Sequence, residues 1–344
     1  MANVTNGKYS VAVVGATGLV GETMISTLEQ RKFPLESLHP LASERSAGKK
    51  IRCLGREYTV ADLDSFDFKG VDIALFSAGG AISERYAPRA AAAGAVVIDN
   101  TSHFRMDEDI PLVVPEVNPD AIEGYRRRGI IANPNCSTIQ MVVALAPIHR
   151  AVGLARINVA TYQAVSGAGR ALVEDLAGQT ARLLNGKPIE EMTTPKQLAF
   201  NVLPQIDVFE DNGYTREEMK MVNETQKIFD DPDILVNPTA VRVPVFFGHS
   251  EAVHIETRSP ITREQALALL EDAPGVEVLD QRIPGGYPTA VTEAADRDAV
   301  FVGRVREDIS HPNGLDLWIV ADNVRKGAAL NSVQIAELFV KTYL

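Results

Sequence analysis

The stretch VAVVGATGLVG, residues 11–21, decides the fold. Val11–Val14 is a β-branched, apolar run, the composition of a strand buried on both faces, and it stops at Gly15. From Gly18 the apolar residues Val20, Met24 and Leu28 recur every fourth position, one face of a helix that runs to Glu29. Between strand and helix stand Gly15, Ala16, Thr17, Gly18, Leu19, Val20 and Gly21. Glycines at such a turn let the backbone bend tightly and approach a pyrophosphate, whose charge then rests on the helix N-terminus. The spacing is GxxGxxG, a variant of the usual dinucleotide fingerprint. A glycine turn that binds nothing is the plainer reading, and the strand before it and helix after it argue for the nucleotide.

Working outward, Val71–Phe76 is a second strand-like run, followed by an Ala-rich helix ending near Gly94. Ala95–Ile98 and Ile130–Ala132 read as two more buried strands. Strand–helix alternation with continuous apolar strands means a parallel sheet, with ligands at the strands' carboxyl ends. After Asn133 the pattern changes to longer alternating strands, Leu154–Val165, Asn237–Phe247, Ala252–Arg258 and Ala299–Arg306. These suggest a mostly antiparallel or mixed sheet with one face covered by helices. Val324–Tyr343 is again helical, with Ile335, Leu338 and Phe339 on one side. With no linker between the two regions, a cleft between them is the default place for a site.

The composition bounds the function. The 344 residues are 45% hydrophobic and 23% charged, values of an ordinary globular protein that exclude disorder, collagen and coiled coil. No apolar run reaches the ~18 residues of a membrane span. The polar opening MANVTNGKYS lacks the apolar core of a secretory signal. A net charge of −11 argues against nucleic acid or an anionic membrane as partner, while leaving room for a small anionic ligand. Two cysteines make no disulfide framework, so a reducing cytoplasm is expected.

The choice of nucleotide turns on residues 42–48, ASERSAG. Ser43, Arg45 and Ser46 suit a 2′-phosphate and favour NADP; Glu44 among them would instead suit the ribose hydroxyl of NAD. A solvated polar turn is the bland alternative.

Cys136, in NPNCST at 133–138, follows a buried strand and leads into an expected helix over Thr138–Arg150. A thiol at a helix N-terminus has its thiolate stabilised by the aligned backbone dipoles, which a cysteine nucleophile needs near neutral pH. Cys53, in IRCLG, reads as structural. The two are not expected to pair, and no zinc spacing or other metal site is expected.

Four segments, GATGLVG at 15–21, NPNCST at 133–138, TYQAVSGAG at 161–169 and VRVPVFFGHS at 241–250, resemble aspartate-β-semialdehyde dehydrogenase. They stand in the family's order, and the similarity runs over essentially the whole chain. Related glyceraldehyde-3-phosphate dehydrogenases and acetylglutamyl-phosphate reductases carry different residues around the cysteine. The resemblance implies a Rossmann-type parallel-sheet nucleotide domain, residues 1–135 with 323–344. It also implies an α+β catalytic and dimerisation domain, residues 136–322, the whole forming a homodimer. The implied reaction is the NADPH-dependent reduction of L-aspartyl-4-phosphate to the semialdehyde with release of inorganic phosphate. That step leads toward lysine, threonine and methionine. The rival is a related acyl-phosphate or acyl-thioester reductase such as N-acetyl-glutamyl-phosphate reductase; a non-catalytic nucleotide-binding homologue is less favoured because Cys136 and His249 are both present.

The resemblance also implies roles by position. Cys136 is the nucleophile, His249 the acid/base and Gln163 the residue that orients the substrate. Asn135, Lys220 and Arg105 would contact the phosphate, Arg242 the α-carboxylate and Glu217 the amino group. Ser77, Ala78, Gly79, Ser166, Gly167 and Asn323 would line the cofactor. From the residues alone, His249 and His254 are not distinguished, and the run Arg216–Lys220 reads as a solvated helix face whose Glu224 extension is ambiguous. The seven-residue step from Arg242 to His249 would put them on opposite faces of one strand, unless Gly248 ends it.

Overall fold

A computed structural model describes residues 7–344, so part of the polar opening lies outside the described residues. The chain forms two compact units, one of residues up to Pro134 with Ala328–Leu344, the other Asn135–Gly327. Residues 323–327 thus belong by contact with the second unit, and the return to the first begins at Ala328.

The first unit carries a six-stranded sheet in the order Ala61–Asp62, Leu35–Ala42, Tyr9–Val14, Ile73–Phe76, Val96–Asp99 and Ile130–Ala132. All five pairings are parallel. The order departs in both directions from Tyr9–Val14, which makes the carboxyl end of that strand the switch point where open α/β sheets bind ligands. Helix Leu19–Gln30 buries Met24, Ile25 and Leu28 in the core that holds Val11, Val13, Leu75 and Ile98. The C-terminal segment opens with a wide turn over Arg325–Ala329, so its regular helix is Leu330–Tyr343, whose Val333, Ile335 and Phe339 join the same core.

The second unit carries a mixed sheet, in the order Leu235–Arg242, Leu154–Gln163, His249–Thr257, Gly314–Ala321, Val300–Glu307 and Val276–Val278. Leu154–Gln163 runs parallel to Leu235–Arg242 and antiparallel to His249–Thr257. Two carboxyl ends, at Gln163 and Arg242, therefore meet the amino end of a third strand, at His249. The expected strand Asn237–Phe247 begins earlier and stops at Arg242. Gly248 has φ +87°, and a Cβ there would lie 2.8 Å from the Ala290 carbonyl oxygen, so glycine makes the turn that starts the next strand at His249.

The cysteine helix is Cys136–Val152, two residues longer at its start than expected, because Asn135 caps it. The Asn135 Oδ1 accepts from the backbone N–H of Ser137 and Thr138, a cap worth about 1 kcal/mol. Helix Arg216–Phe229 is fixed by a capping box between Thr215 and Glu218 and packs on Leu235–Arg242 and on the cysteine helix.

Candidate active site

Cys136 is the first residue of its helix, and its Sγ lies 3.3 Å from the Nε2 of His249. On the other side of the ring, Nδ1 accepts the Ala164 backbone N–H at 3.0 Å. An N–H pointing at Nδ1 requires a lone pair there, so the neutral ring carries its hydrogen on Nε2 and offers it to the sulfur. The contact thus makes Sγ the acceptor, the arrangement that favours a thiolate. Burial, and after it the Arg242 charge, push the imidazole well below its ordinary value, so His249 is neutral. His254 lies five residues on, on the opposite face, bonded to Asp308 and Asn158.

The same peptide anchors Arg242, whose Nη1 donates to the Ala164 carbonyl at 2.6 Å. Arg242 is buried, and what it meets there is a carbonyl; Glu217 and Cys136 add favourable charge nearby. A Cβ on Gly167 would sit 3.3 Å from both Arg242 Nη1 and His249 Nε2, and one on Gly327 would sit 2.6 Å from the Cys136 Cβ. Gly167 thus leaves room beside Arg242 and His249, and Gly327 allows a close approach to the start of the cysteine helix. Gly327 was not singled out from the sequence.

Behind the nucleophile is a buried network. Glu217 Oε1 accepts from Asn135 Nδ2 at 2.9 Å and from Gln163 Nε2 at 3.3 Å, and its Oε2 accepts from Lys220 Nζ at 3.0 Å. Burial opposes the Glu217 charge, but the Lys220 ammonium and these hydrogen bonds outweigh it and hold the carboxyl below its ordinary range. Glu224, ambiguous in the sequence, accepts the Asn135 N–H at 2.6 Å and steadies the turn before Cys136. Lys220 also reaches Asp207 Oδ2 at 3.2 Å, a partner that the sequence did not suggest. Arg216–Lys220 is therefore no solvated face at Glu217, which is buried.

Ser166 and Asn323 meet directly, the Ser166 hydroxyl donating to Asn323 Oδ1 at 3.1 Å. That oxygen also accepts the Gly248 N–H at 2.9 Å, so Asn323 ties two turns beside His249 and keeps its NH2 group outside these bonds. Cys53 is buried, and burial followed by Glu29 pushes its thiol up to about 11, which makes it inert.

In the first unit the glycine turn fits a dinucleotide. Gly15 has φ +88°, and a Cβ there would press on the Ser77 backbone at 3.0 Å; one on Gly21 would lie 2.2 Å from the Gly15 carbonyl oxygen. Gly18 caps the helix without a side-chain bond, so the first N–H groups around Leu19 and Val20 stay available for an anion. Ala16 is buried, and Thr17 is half-buried at the turn. Ser77 bonds back to Val14, while Ala78 and Gly79 are exposed, Gly79 with φ +97° at the start of helix Gly80–Ala92. The Gly15 N–H donates to Leu41 O, so the turn Ser43–Ser46 after Leu35–Ala42 adjoins the glycines. Ser43, Glu44 and Arg45 are exposed there, whereas Ser46 is buried. Arg105, also in this unit, is buried and donates to the Asn100 carbonyl at 3.0 Å, so it is not a surface loop residue.

Comparison with known proteins finds a family match in each half of the chain. Residues 10–125 match the family model of the semialdehyde dehydrogenase NAD binding domain, and residues 145–326 that of the semialdehyde dehydrogenase dimerisation domain. Aspartate-semialdehyde dehydrogenase 2 of Vibrio cholerae is 62% identical over 98% of this chain and 99% of its own. The Bacillus subtilis aspartate-semialdehyde dehydrogenase is 53% identical over 97% and 98%. A crystal structure of the Vibrio cholerae aspartate semialdehyde dehydrogenase II complexed with ASA superposes with a TM-score of 0.97, covering 98% of this chain and all of that one, at 62% identity. With agreement of this extent in sequence and in fold, the chain belongs to the aspartate-semialdehyde dehydrogenase family.

Proposed function

We propose that this chain converts L-aspartyl-4-phosphate to L-aspartate-4-semialdehyde with NADPH, releasing inorganic phosphate. The observation that carries the reading is the Cys136 sulfur held at a helix N-terminus, 3.3 Å from His249 Nε2, with the Ala164 N–H on the ring's other nitrogen. The sulfur attacks the acyl carbon, the bond to the phosphate oxygen breaks, and phosphate departs with the electron pair, leaving a thioester on Cys136. When bound, NADPH supplies a hydride for the reduction of that thioester. The chain's own groups then manage the oxygen and the sulfur. His249 Nε2–H stabilises the oxyanion of the Cys136 thiohemiacetal, and expulsion of the Cys136 thiolate regenerates the aldehyde carbonyl. No proton need leave the imidazole in this sequence; the proton of the overall reaction ends on phosphate. His249 thus supplies the donor half of the acid/base role that the resemblance implies.

Arg242 would grip the α-carboxylate in a forked pair, Glu217 the ammonium, Gln163 would orient the substrate and Asn135 would contact the phosphate. Lys220 is assigned to the phosphate, and Arg105 joins it through the resemblance. Gly15–Gly21 with Ser77, Ala78 and Gly79 would hold the diphosphate, Ser43 and Arg45 the 2′-phosphate, and Ser166, Gly167 and Asn323 the nicotinamide end. The buried Ser46 would act through the turn it closes. The reading includes a homodimer, supported by the matched dimerisation-domain model, and a cytoplasmic location, supported by two cysteines that are both free.

The test is the reverse reaction, with aspartate semialdehyde, phosphate and NADP⁺, run beside a small panel of other aldehydes. Phosphate-dependent NADPH formation that is fastest with aspartate semialdehyde is the expected result. Turnover without phosphate, or none with this aldehyde, overturns the reading.

A further inference from the structure

We infer that Asp207 determines specificity for a free α-ammonium on the substrate, forming with Glu217 a seat of two carboxylates that Lys220 bridges at rest. The inference rests on the reaction proposed above. Leu203 and Arg242 exchange backbone hydrogen bonds in both directions at 2.9 Å, so the segment that follows Leu203 starts beside the guanidinium. Four residues on, Asp207 and Arg242 line one cavity of about 630 Å³ whose other walls include Leu172, Leu203, Ile206 and Phe209. Asp207 is the one carboxylate among the described residues that line it. The lining also carries Lys196 and the polar side chains of Thr193, Thr194 and Gln205. Within it the buried Arg242 offers a cation and Asp207 an anion, a pair that suits an α-amino acid end, carboxylate to Arg242 and ammonium to Asp207.

The count of lone pairs explains why Glu217 alone is not enough. An ionised carboxylate accepts about four hydrogen bonds. Glu217 already receives three, from Asn135, Gln163 and Lys220, while an ammonium brings three donors. Asp207 receives one bond on each oxygen, from Val208 N at 2.9 Å and from Lys220 Nζ at 3.2 Å, and so has capacity to spare. Its backbone is also committed. Asp207 has φ +68°, a region unusual for a residue with a side chain, and its own carboxylate holds it there through Val208 N. With one carboxylate oxygen on Val208 N, the other meets Lys220. A tether for Lys220 would give the same resting bond, and selectivity separates the two roles.

The experiment compares aspartate semialdehyde with 4-oxobutanoate, which keeps the carboxylate and aldehyde and lacks the amine, in wild type and Asp207→Asn. Asparagine tolerates positive φ and still accepts from Val208 N. Asp207→Gly, with no strain at this φ, removes the same carboxylate and serves where the asparagine variant folds poorly. Expected is a loss of at least ~10-fold in kcat/KM for aspartate semialdehyde, chiefly through KM, as for one charge-assisted hydrogen bond. The apparent affinity for 4-oxobutanoate, as substrate or competitor, should stay within about 3-fold. Equal losses for both compounds would make Asp207 a tether, and no loss for either would leave it without a role; both overturn the inference. Wild type failing to turn over aspartate semialdehyde would instead overturn the reaction on which it rests.

Discussion

His249 and Cys136 are linked through a hydrogen whose position is fixed: the Ala164 N–H occupies Nδ1 at 3.0 Å, so the imidazole can face the sulfur, 3.3 Å away, only as an Nε2–H donor. Protonating Nδ1 would set two N–H groups against each other. Together with burial this keeps the ring uncharged. The expected consequence is that log kcat/KM shows no inflection from His249 near pH 6.5, the ordinary histidine value. His249→Gln, which retains an N–H donor, should keep more activity than His249→Ala, whose kcat should fall about 10²–10³-fold, the usual cost of one oxyanion donor. Equal losses in the two variants, or a wild-type inflection near 6.5 that vanishes in both, would restore a true proton-transfer role.

The two cysteines should separate cleanly. Cys136→Ala should abolish turnover while leaving NADPH binding and thermal unfolding near wild type. Iodoacetamide should inactivate the wild type with substrate protecting, and peptide mapping should find the label on Cys136. Cys53, buried with its thiol pushed up to about 11, should stay unlabelled over the same period. Label on Cys53 at a comparable rate would contradict the environments of both.

Cofactor preference rests on the exposed turn after Leu35–Ala42. Arg45 should add a charge-assisted hydrogen bond to a 2′-phosphate, worth roughly 1.5–3 kcal/mol or about 10–150-fold. Arg45→Ala should therefore raise KM for NADPH within that range and leave KM for NADH almost unchanged. Equal use of the two cofactors by the unmodified chain would return the turn to Glu44 and NAD.

Glu251 offers a pH-dependent test of stability. It is fully buried, two residues from His249, and neither carboxyl oxygen has a hydrogen-bond partner of normal geometry among the described residues. Burial raises its carboxyl well above 4.5; the Gln140 amide nearby opposes this only weakly. The folded chain thus keeps a proton that the unfolded chain releases above pH 4.5. Stability from this group is complete below that pH and declines as pH rises, by up to about 1.4 kcal/mol per pH unit, until the folded carboxyl itself ionises. Glu251→Gln removes the titration. Its advantage in Tm should be small at about pH 4.5 and grow toward pH 8; a constant difference would mean that Glu251 is not protonated in the fold.

What the sequence made legible follows from where information sits. Gly15, Gly18 and Gly21 announce a backbone conformation, so the nucleotide turn was readable directly, and Gly248 correctly separated Arg242 from His249. Cys136 was readable because the residue before it is a cap. Asp207 was not, since its partner Lys220 is thirteen residues away and its left-handed backbone leaves no periodic trace. Ala164 was invisible for a different reason: it acts through its peptide group, which every residue possesses. The burial of Arg105 and Glu217 was likewise hidden, because a charge in a sequence defaults to solvent until its partners are seen.

Arg242 is the residue whose two duties can be separated by experiment. Its Nη1 is spent on the Ala164 carbonyl at 2.6 Å, and that peptide also fixes the His249 ring. The rest of the fork is what a substrate α-carboxylate would meet. Arg242→Lys keeps the charge and forfeits the planar fork, so one ammonium must serve both the carbonyl and the substrate. A purely Coulombic site would tolerate the change; a forked one should lose at least ~10-fold in kcat/KM with aspartate semialdehyde, one charge-assisted hydrogen bond being worth roughly 1.5–3 kcal/mol. With 3-aminopropanal, which lacks the α-carboxylate, the loss should shrink to whatever the Ala164 anchor contributes. Equal losses with both aldehydes would mean that Arg242 acts only through Ala164 and His249, as a positioning residue for the imidazole and with no hold on the substrate.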